Sequence, residues 1–208
     1  MKLRSKLYLD QSPYENAEIL SLDAQGWLGD PIALKNAITA IKPKTIIDVG
    51  SWKGCSADFM VKESMQYGND FEVICIDTWL GSHEHYAWEE NYNNYLPRKN
   101  NRINLYDVFL SNMMQLGNSD YVTPFRIDSV NGYMILKDWG IVADLIYVDA
   151  AHDYNSAKQD ILNYKQILRP GGVMVCDDYS WFQGVREAAD ECIPNGNHIG
   201  HKYYWINH

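Results

Sequence analysis

The stretch Thr45-Ile46-Ile47-Asp48-Val49-Gly50-Ser51-Trp52-Lys53-Gly54-Cys55-Ser56-Ala57 restricts the fold more than any other part of the chain. A β-branched apolar run ends in an acid and a glycine, a second glycine follows, and a helical pattern begins. This reads as a buried parallel strand, a tight turn and a helix N-terminus. Gly50 can adopt backbone angles closed to other residues, and Gly54 can admit a close neighbour. In an open α/β sheet such a turn sits at the carboxyl end of a strand, where ligands bind. The spacing D-V-G-S-W-K-G fits neither the dinucleotide fingerprint G-x-G-x-x-G nor the phosphate loop G-x-x-x-x-G-K-[ST]. An acid just inside the turn repels a pyrophosphate and suits a cationic or hydroxyl-bearing ligand.

The rest of the chain repeats that unit. Asp30-Pro31 is a helix start, with Asp as cap and Pro first in the helix, and Pro43 ends that helix. After the organising strand come a helix from about Ser56 to Tyr67 and a strand over Phe71–Asp77, a right-handed βαβ unit. Helix Ile103–Leu116 precedes strand Tyr121–Ile127. A short helix over 129–138 precedes strand Ala143–Asp149. Helix Asn155–Leu168 is stopped by Arg169-Pro170-Gly171-Gly172, and strand Val173–Asp178 follows. A helix near Gln183–Cys192 and a strand near Tyr203–Ile206 close the chain. The pattern predicts a three-layer α/β/α Rossmann-like fold, its seven-stranded sheet mostly parallel with an antiparallel C-terminal strand. Residues 1–30 read as an N-terminal arm and 31–208 as a single domain. Residues 82–100, rich in Trp, His, Tyr, Asn and Glu without a period, interrupt it as a lid-like insertion.

Composition narrows the partners. Lys and Arg number 18 against 27 Asp and Glu, a net charge of −9, which disfavours a nucleic acid or an anionic membrane. No run approaches membrane-spanning length and no leader is evident, so the expected location is cytoplasmic. Cys55, Cys75, Cys176 and Cys192 lack C-x-x-C spacing and read as free thiols. The 15 Tyr and 7 Trp suit a pocket for a ring-bearing small molecule. A homo-oligomer is left open.

Strand after strand ends in an acid: Asp48, Asp77, Asp128, Asp149 and Asp177-Asp178. One such residue is commonly a cap, but five strands with the same habit place carboxylates along one sheet edge. Asp77 can accept hydrogen bonds from ribose hydroxyls. Asp149, Asp177 and Asp178 would lie on neighbouring strands about 4.8 Å apart. Three carboxylates so close repel one another unless a cation or protons intervene, and an all-oxygen set suits Mg²⁺, Ca²⁺ or Mn²⁺. Consecutive strand residues face opposite ways, so Asp177 and Asp178 reach one ion only if the chain turns between them. His152, three residues after Asp149, is the candidate general base.

Asp48-x-Gly50-x-x-x-Gly54 resembles motif I of the class I S-adenosylmethionine (SAM) methyltransferases, whose loop wraps the amino-acid end of SAM. The resemblance implies a SAM site made by Asp48, Gly50, Ser51, Gly54, Asp77, Thr78 and Trp79, with Asp128 and Ser129 at the adenine edge. Asp149-x-x-His152-x-Tyr154, Leu168-x-Pro170-Gly171-Gly172 and Asp177-Asp178 are similar to one branch of that class. This is the metal-dependent O-methyltransferases acting on sugars of macrolide and aminocoumarin natural products. Ile76-Asp77-Thr78-Trp79-x-Gly81 resembles a wider group that includes cephalosporin-hydroxylase-like proteins. The likeness covers roughly residues 44–190. It implies O-methylation of a sugar-like or vicinal-diol acceptor, with Asp149 and His152 catalytic and Asp149, Asp177 and Asp178 holding a divalent metal, Mg²⁺ foremost. Two rivals share the fold: an NAD-linked oxidoreductase, weakened by the missing third glycine, and a non-catalytic binder of an adenosyl ligand.

Overall fold

The computed structural model describes residues 3–8, 11–87 and 95–208. In chain order the elements are α1 (Leu3–Tyr8), α2 (Ile32–Ile41), β1 (Thr45–Val49), α3 (Cys55–Met65), β2 (Glu72–Asp77), α4 (Glu84–Ala87), β3 (Arg98–Lys99), β4 (Arg102–Ile103), α5 (Leu105–Gln115), β5 (Val122–Arg126), α6 (Ser129–Asp138), β6 (Ala143–Val148), α7 (Tyr154–Lys165), β7 (Leu168–Cys176), α8 (Gln183–Cys192), β8 (Asn197–Ile199) and β9 (Lys202–Ile206). Seven strands form one sheet in the order β5-β2-β1-β6-β7-β9-β8. The first five run parallel, and β9 is antiparallel to both β7 and β8. This is the Rossmann-like three-layer sheet expected from the strand–helix alternation.

Adjacent strand residues point to opposite faces, which is why the parallel strands read as continuous apolar runs. Ile46, Val73, Leu145 and Val175 pack under α2, α3 and α5, against Leu34, Ile38, Met60 and Phe109. Ile47, Ile74, Ile146 and Met174 pack under α6, α7 and α8, against Leu136, Ile161, Tyr164 and Ala188. Each fully buried aliphatic side chain stabilises the fold by roughly 1.5–3 kcal/mol.

Local differences from the sequence reading have local causes. Pro31 takes the cap position of α2, and Asp30 sits before it, its Oδ1 accepting from Ile32 N at 3.0 Å. Strand β7 begins at Leu168, before the glycines, because Leu168 pairs with Ala143 and Val173 with Leu145. The intervening Pro170-Gly171-Gly172 bulges out, with Gly171 at φ +71°. The N-terminal arm runs along the β5 edge. Leu3 N donates to Glu72 Oε2, Tyr14 OH to Val122 O, and Lys53 Nζ bonds Asp23. It ends against the cavity described next. Of the insertion, 82–87 and 95–100 are described, while Trp88 lies outside the described residues. The four cysteines are free. No helix among the described residues is long and apolar enough to cross a membrane.

Candidate active site

Strand register builds the site. Val49 pairs with Ile76 and Val148, and Val148 with Cys176. The next residue on each strand, Gly50, Asp77, Asp149 and Asp177, therefore falls in one row at the carboxyl edge. Backbone bonds carry the ladder into that row: Gly50 N to Ile76 O, Asp149 N to Val49 O and Asp177 N to Val148 O, at 2.8–2.9 Å. Gly50 sits at φ +92°, and a Cβ there would lie 2.0 Å from Asp149 O. Only glycine lets β1 turn so close to β6. Above the row opens a cavity of about 800 Å³.

Gly50, Ser51, Asp77, Thr78, Asp128 and Ser129 line one part of this cavity, and Asp149, His152, Asp177 and Asp178 another. Asp77 is already committed, its Oδ2 accepting from Trp52 N and its Oδ1 from Trp79 N, at 2.9 and 2.6 Å. Each oxygen keeps a further lone pair for a hydroxyl. Burial raises the Asp77 pKa despite these N–H donors. Asp128 caps α6 through Asn131 N, which helps hold its pKa low.

Three of the expected SAM residues support the wall instead of lining it. Asp48 pairs with Cys75, two residues inside the row, so its side chain lies on the same face but beneath the first turn of α3. It is fully buried, accepting from Ser56 Oγ at 2.9 Å, with Oδ1 unpartnered. Burial pushes its pKa up to about 6 against the Ser56 and Ser51 bonds. Gly54 precedes α3 at φ +91°, where a Cβ would meet Met113 and Phe109. Trp79 is buried among Tyr106 and Phe109, and its indole N–H donates to Trp52 O at 2.7 Å. These three hold the turn in shape.

The acid cluster also departs from expectation. The chain does turn at Asp178, with φ +59°, but the two aspartates part company. Asp177 Oδ1 bonds Lys202 Nζ at 2.7 Å and lies 3.2 Å from His201 Nε2, and its Oδ2 accepts from Tyr147 OH. It is spoken for by an internal cation. The donors that do converge are Asp149, His152 and Asp178, one ligand atom of each lying within 4.8 Å of the others. The group that could hold an ion is thus two carboxylates and an imidazole, where three carboxylates were expected.

His152 is clamped between acids. Its Nδ1 lies 2.8 Å from Glu84 Oε2, its Nε2 2.8 Å from Asp178 Oδ2, and its ring stacks on Phe182. Burial alone would lower its pKa, but the bonds to Asp178 and Glu84 outweigh that and hold it up at about 10. A doubly bonded imidazolium has no lone pair with which to take a proton. His152, expected as the general base, thus has both ring nitrogens engaged by acids, and Asp149 is the neighbouring carboxylate. Burial, with Asp177 and Asp178 beside it, pushes that carboxyl well above its usual range.

Lys202 is fully buried, and its remaining bonds run to Leu28 O and His201. Lys202→Met should therefore cost about 3–5 kcal/mol by leaving Asp177 buried without its cation. Denaturant unfolding of the two proteins checks this, and an unchanged midpoint would refute it.

Sequence reading missed several residues that face the cavity. Gln25, Trp27 and Gly29 come from the N-terminal arm, Glu84 from the insertion already expected to act as a lid, and Trp181 and Phe182 follow β7. Trp27 stacks on Trp52, and Trp52 on His85. The one available signal was the Gly26-Trp27-Leu28-Gly29 turn, a large ring between glycines.

A seven-stranded sheet of this order, with a glycine turn after its first strand and an acid row beneath the cavity, defines a class I SAM-dependent methyltransferase. The chain belongs to the methyltransferase-domain family, which matches residues 47–179. That decides against the NAD-linked and non-catalytic readings. An O-methyltransferase from Bacillus cereus, solved with SAH, is similar at 13% identity and a TM-score of 0.61, covering 98% of this chain and 95% of that one. The O-methyltransferase TomG of Streptomyces achromogenes, solved with SAM, is similar at 14% and 0.60, covering 85% and 78%. The TDP-rhamnose 3′-O-methyltransferase of calicheamicin biosynthesis is similar at 13% and 0.55, covering 84% and 77%. No curated protein sequence matches the chain.

Proposed function

We propose that the protein transfers the methyl group of SAM to a hydroxyl of a small-molecule acceptor bearing vicinal oxygens, with a divalent metal, Mg²⁺ the best suited, at Asp149, His152 and Asp178. One observation carries the reading: the glycine turn and the acid cluster open into the same cavity. The similar structures solved with SAM and SAH support the donor.

In this reading Gly50 and Ser51 receive the amino-acid end of SAM, Asp77 and Thr78 the ribose, and Asp128 and Ser129 the adenine edge. The donor supplies an electrophilic methyl whose sulfur departs as a neutral thioether, so no residue need act as an acid. Asp149 accepts the acceptor's hydroxyl proton as the new O–C bond forms, a task its raised pKa suits. Asp178 and Glu84, held by His152, fix the loop that presents Asp149. The cavity walls align the oxygen with the methyl, which supplies much of the rate. Asp149 and Asp178 would offer carboxylate oxygens to a hard cation, and His152 Nε2 would be a third donor once it gives up its proton and its bond to Asp178. Such an ion supplies Lewis acidity that eases ionisation of a nearby hydroxyl.

Calorimetry with SAM, SAH and NAD tests the donor, and SAH release with a panel of vicinal-hydroxyl acceptors tests the transfer. SAM and SAH should bind, NAD should not, and EDTA should stop turnover until Mg²⁺ is restored. Full transfer in EDTA would reject the metal and leave Asp149 acting unaided.

A further inference from the structure

The charge of the cavity is one-sided. Its lining holds six carboxylates, Asp77, Glu84, Asp128, Asp149, Asp177 and Asp178, and among the described residues no Lys or Arg lines it. Lys202 is spent on Asp177, and His152 on Asp178 and Glu84. His85, the other lining histidine, has its pKa lowered by burial. No Lys or Arg among the described lining residues therefore offers a phosphate its usual partner.

The same cavity is rich in rings. Trp27 and Trp181 are 46% and 62% exposed, and both line it together with Trp52 and Phe182. Trp27 is backed by Trp52, and Trp181 by His201 at 4.2 Å between ring centres. Exposed indoles held in place by stacking offer flat surfaces to a ring, and their faces favour cations over anions.

We infer that the acceptor is a hydroxylated ring compound that is neutral or carries an amine, methylated without a phosphate, nucleotide or carboxylate group attached. This rests on the methyl-transfer reading and narrows its substrate class. It separates this site from one built for a nucleotide-linked sugar, since a diphosphate would sit among like charges with no Lys or Arg beside it, a juxtaposition that costs affinity.

The test uses two catechols of equal size, one with an ethylamine tail and one with an acetate tail, titrated calorimetrically into the SAH-loaded protein. The amine should bind roughly 100-fold more tightly. Trp27→Ala and Trp181→Ala should each weaken amine binding about 10-fold without changing SAH affinity, because both indoles lie outside the core. Equal affinities, or tighter binding of the acetate, would overturn the inference. Binding of neither catechol, with SAH bound normally, would overturn the acceptor class and leave the donor reading standing. Failure of SAH itself to bind would remove both.

Discussion

Gly50→Ala should abolish SAM binding and weaken the fold together. The added Cβ would lie 2.0 Å from Asp149 O and 2.8 Å from Ala150 Cα, both backbone, so no side chain can rotate out of the way. At φ +92° the residue also bears left-handed strain closed to alanine. A clash of this kind belongs with the largest single-residue effects, about 4–5 kcal/mol. For a chain of this size that lowers the melting midpoint by roughly 8–20 °C. Below that midpoint, SAH affinity measured by calorimetry should still fall at least about 100-fold, because β1 and β6 cannot both keep their places under the ligand. Gly140→Ala is the control, since that glycine also sits at positive φ, +66°, but a Cβ there meets nothing within 4 Å and it lies away from the cavity. Unchanged SAH affinity in Gly50→Ala would move the donor site elsewhere.

Asp149→Asn should remove turnover by a factor on the order of 10²–10⁴ while leaving SAH affinity within about threefold. The amide nearly matches the carboxylate in shape but cannot accept the hydroxyl proton, and it is a poorer ligand for a hard cation. Asp149 lacks the protein cation that Asp177 finds in Lys202 and Asp178 in His152. Neutralising it therefore relieves burial cost, and the fold should be as stable as before or slightly more so. Single-turnover methyl transfer against SAH binding separates the two effects. Turnover near that of the parent protein would show that another group takes the proton.

The sheet was legible because parallel strands buried on both faces leave a strong mark: Ile46-Ile47, Val73-Ile74 and Val173-Met174-Val175 each feed two cores at once. The acid edge was legible for a related reason, since each strand stops where burial stops. What could not be read was the direction of individual side chains at that edge. Asp48 and Asp77 look alike in sequence, yet Asp48 pairs with Cys75, two residues short of the edge, and ends in the interior. Asp177 looked like a ligand until Lys202, 25 residues away, was seen to hold it. Glu84 was hidden for the same reason: its partner His152 is 68 residues distant. Burial of polar pairs is a property of tertiary packing, and no local pattern announces it. The lid role expected of residues 82–100 remains a proposal, now anchored on Glu84 and His85 in place of Trp88.

The clamp of Glu84, His152 and Asp178 also bears on how such an enzyme can diversify. Glu84 belongs to the insertion that lines the cavity, while His152 and Asp178 belong to the cluster proposed as the reaction centre. Replacing Glu84 alone would strip His152 of one of its two counter-charges. Replacing His152 alone would leave two carboxylates facing each other. Acceptor wall and reaction centre therefore cannot drift independently, and a change of substrate through this segment has to arrive as a paired exchange.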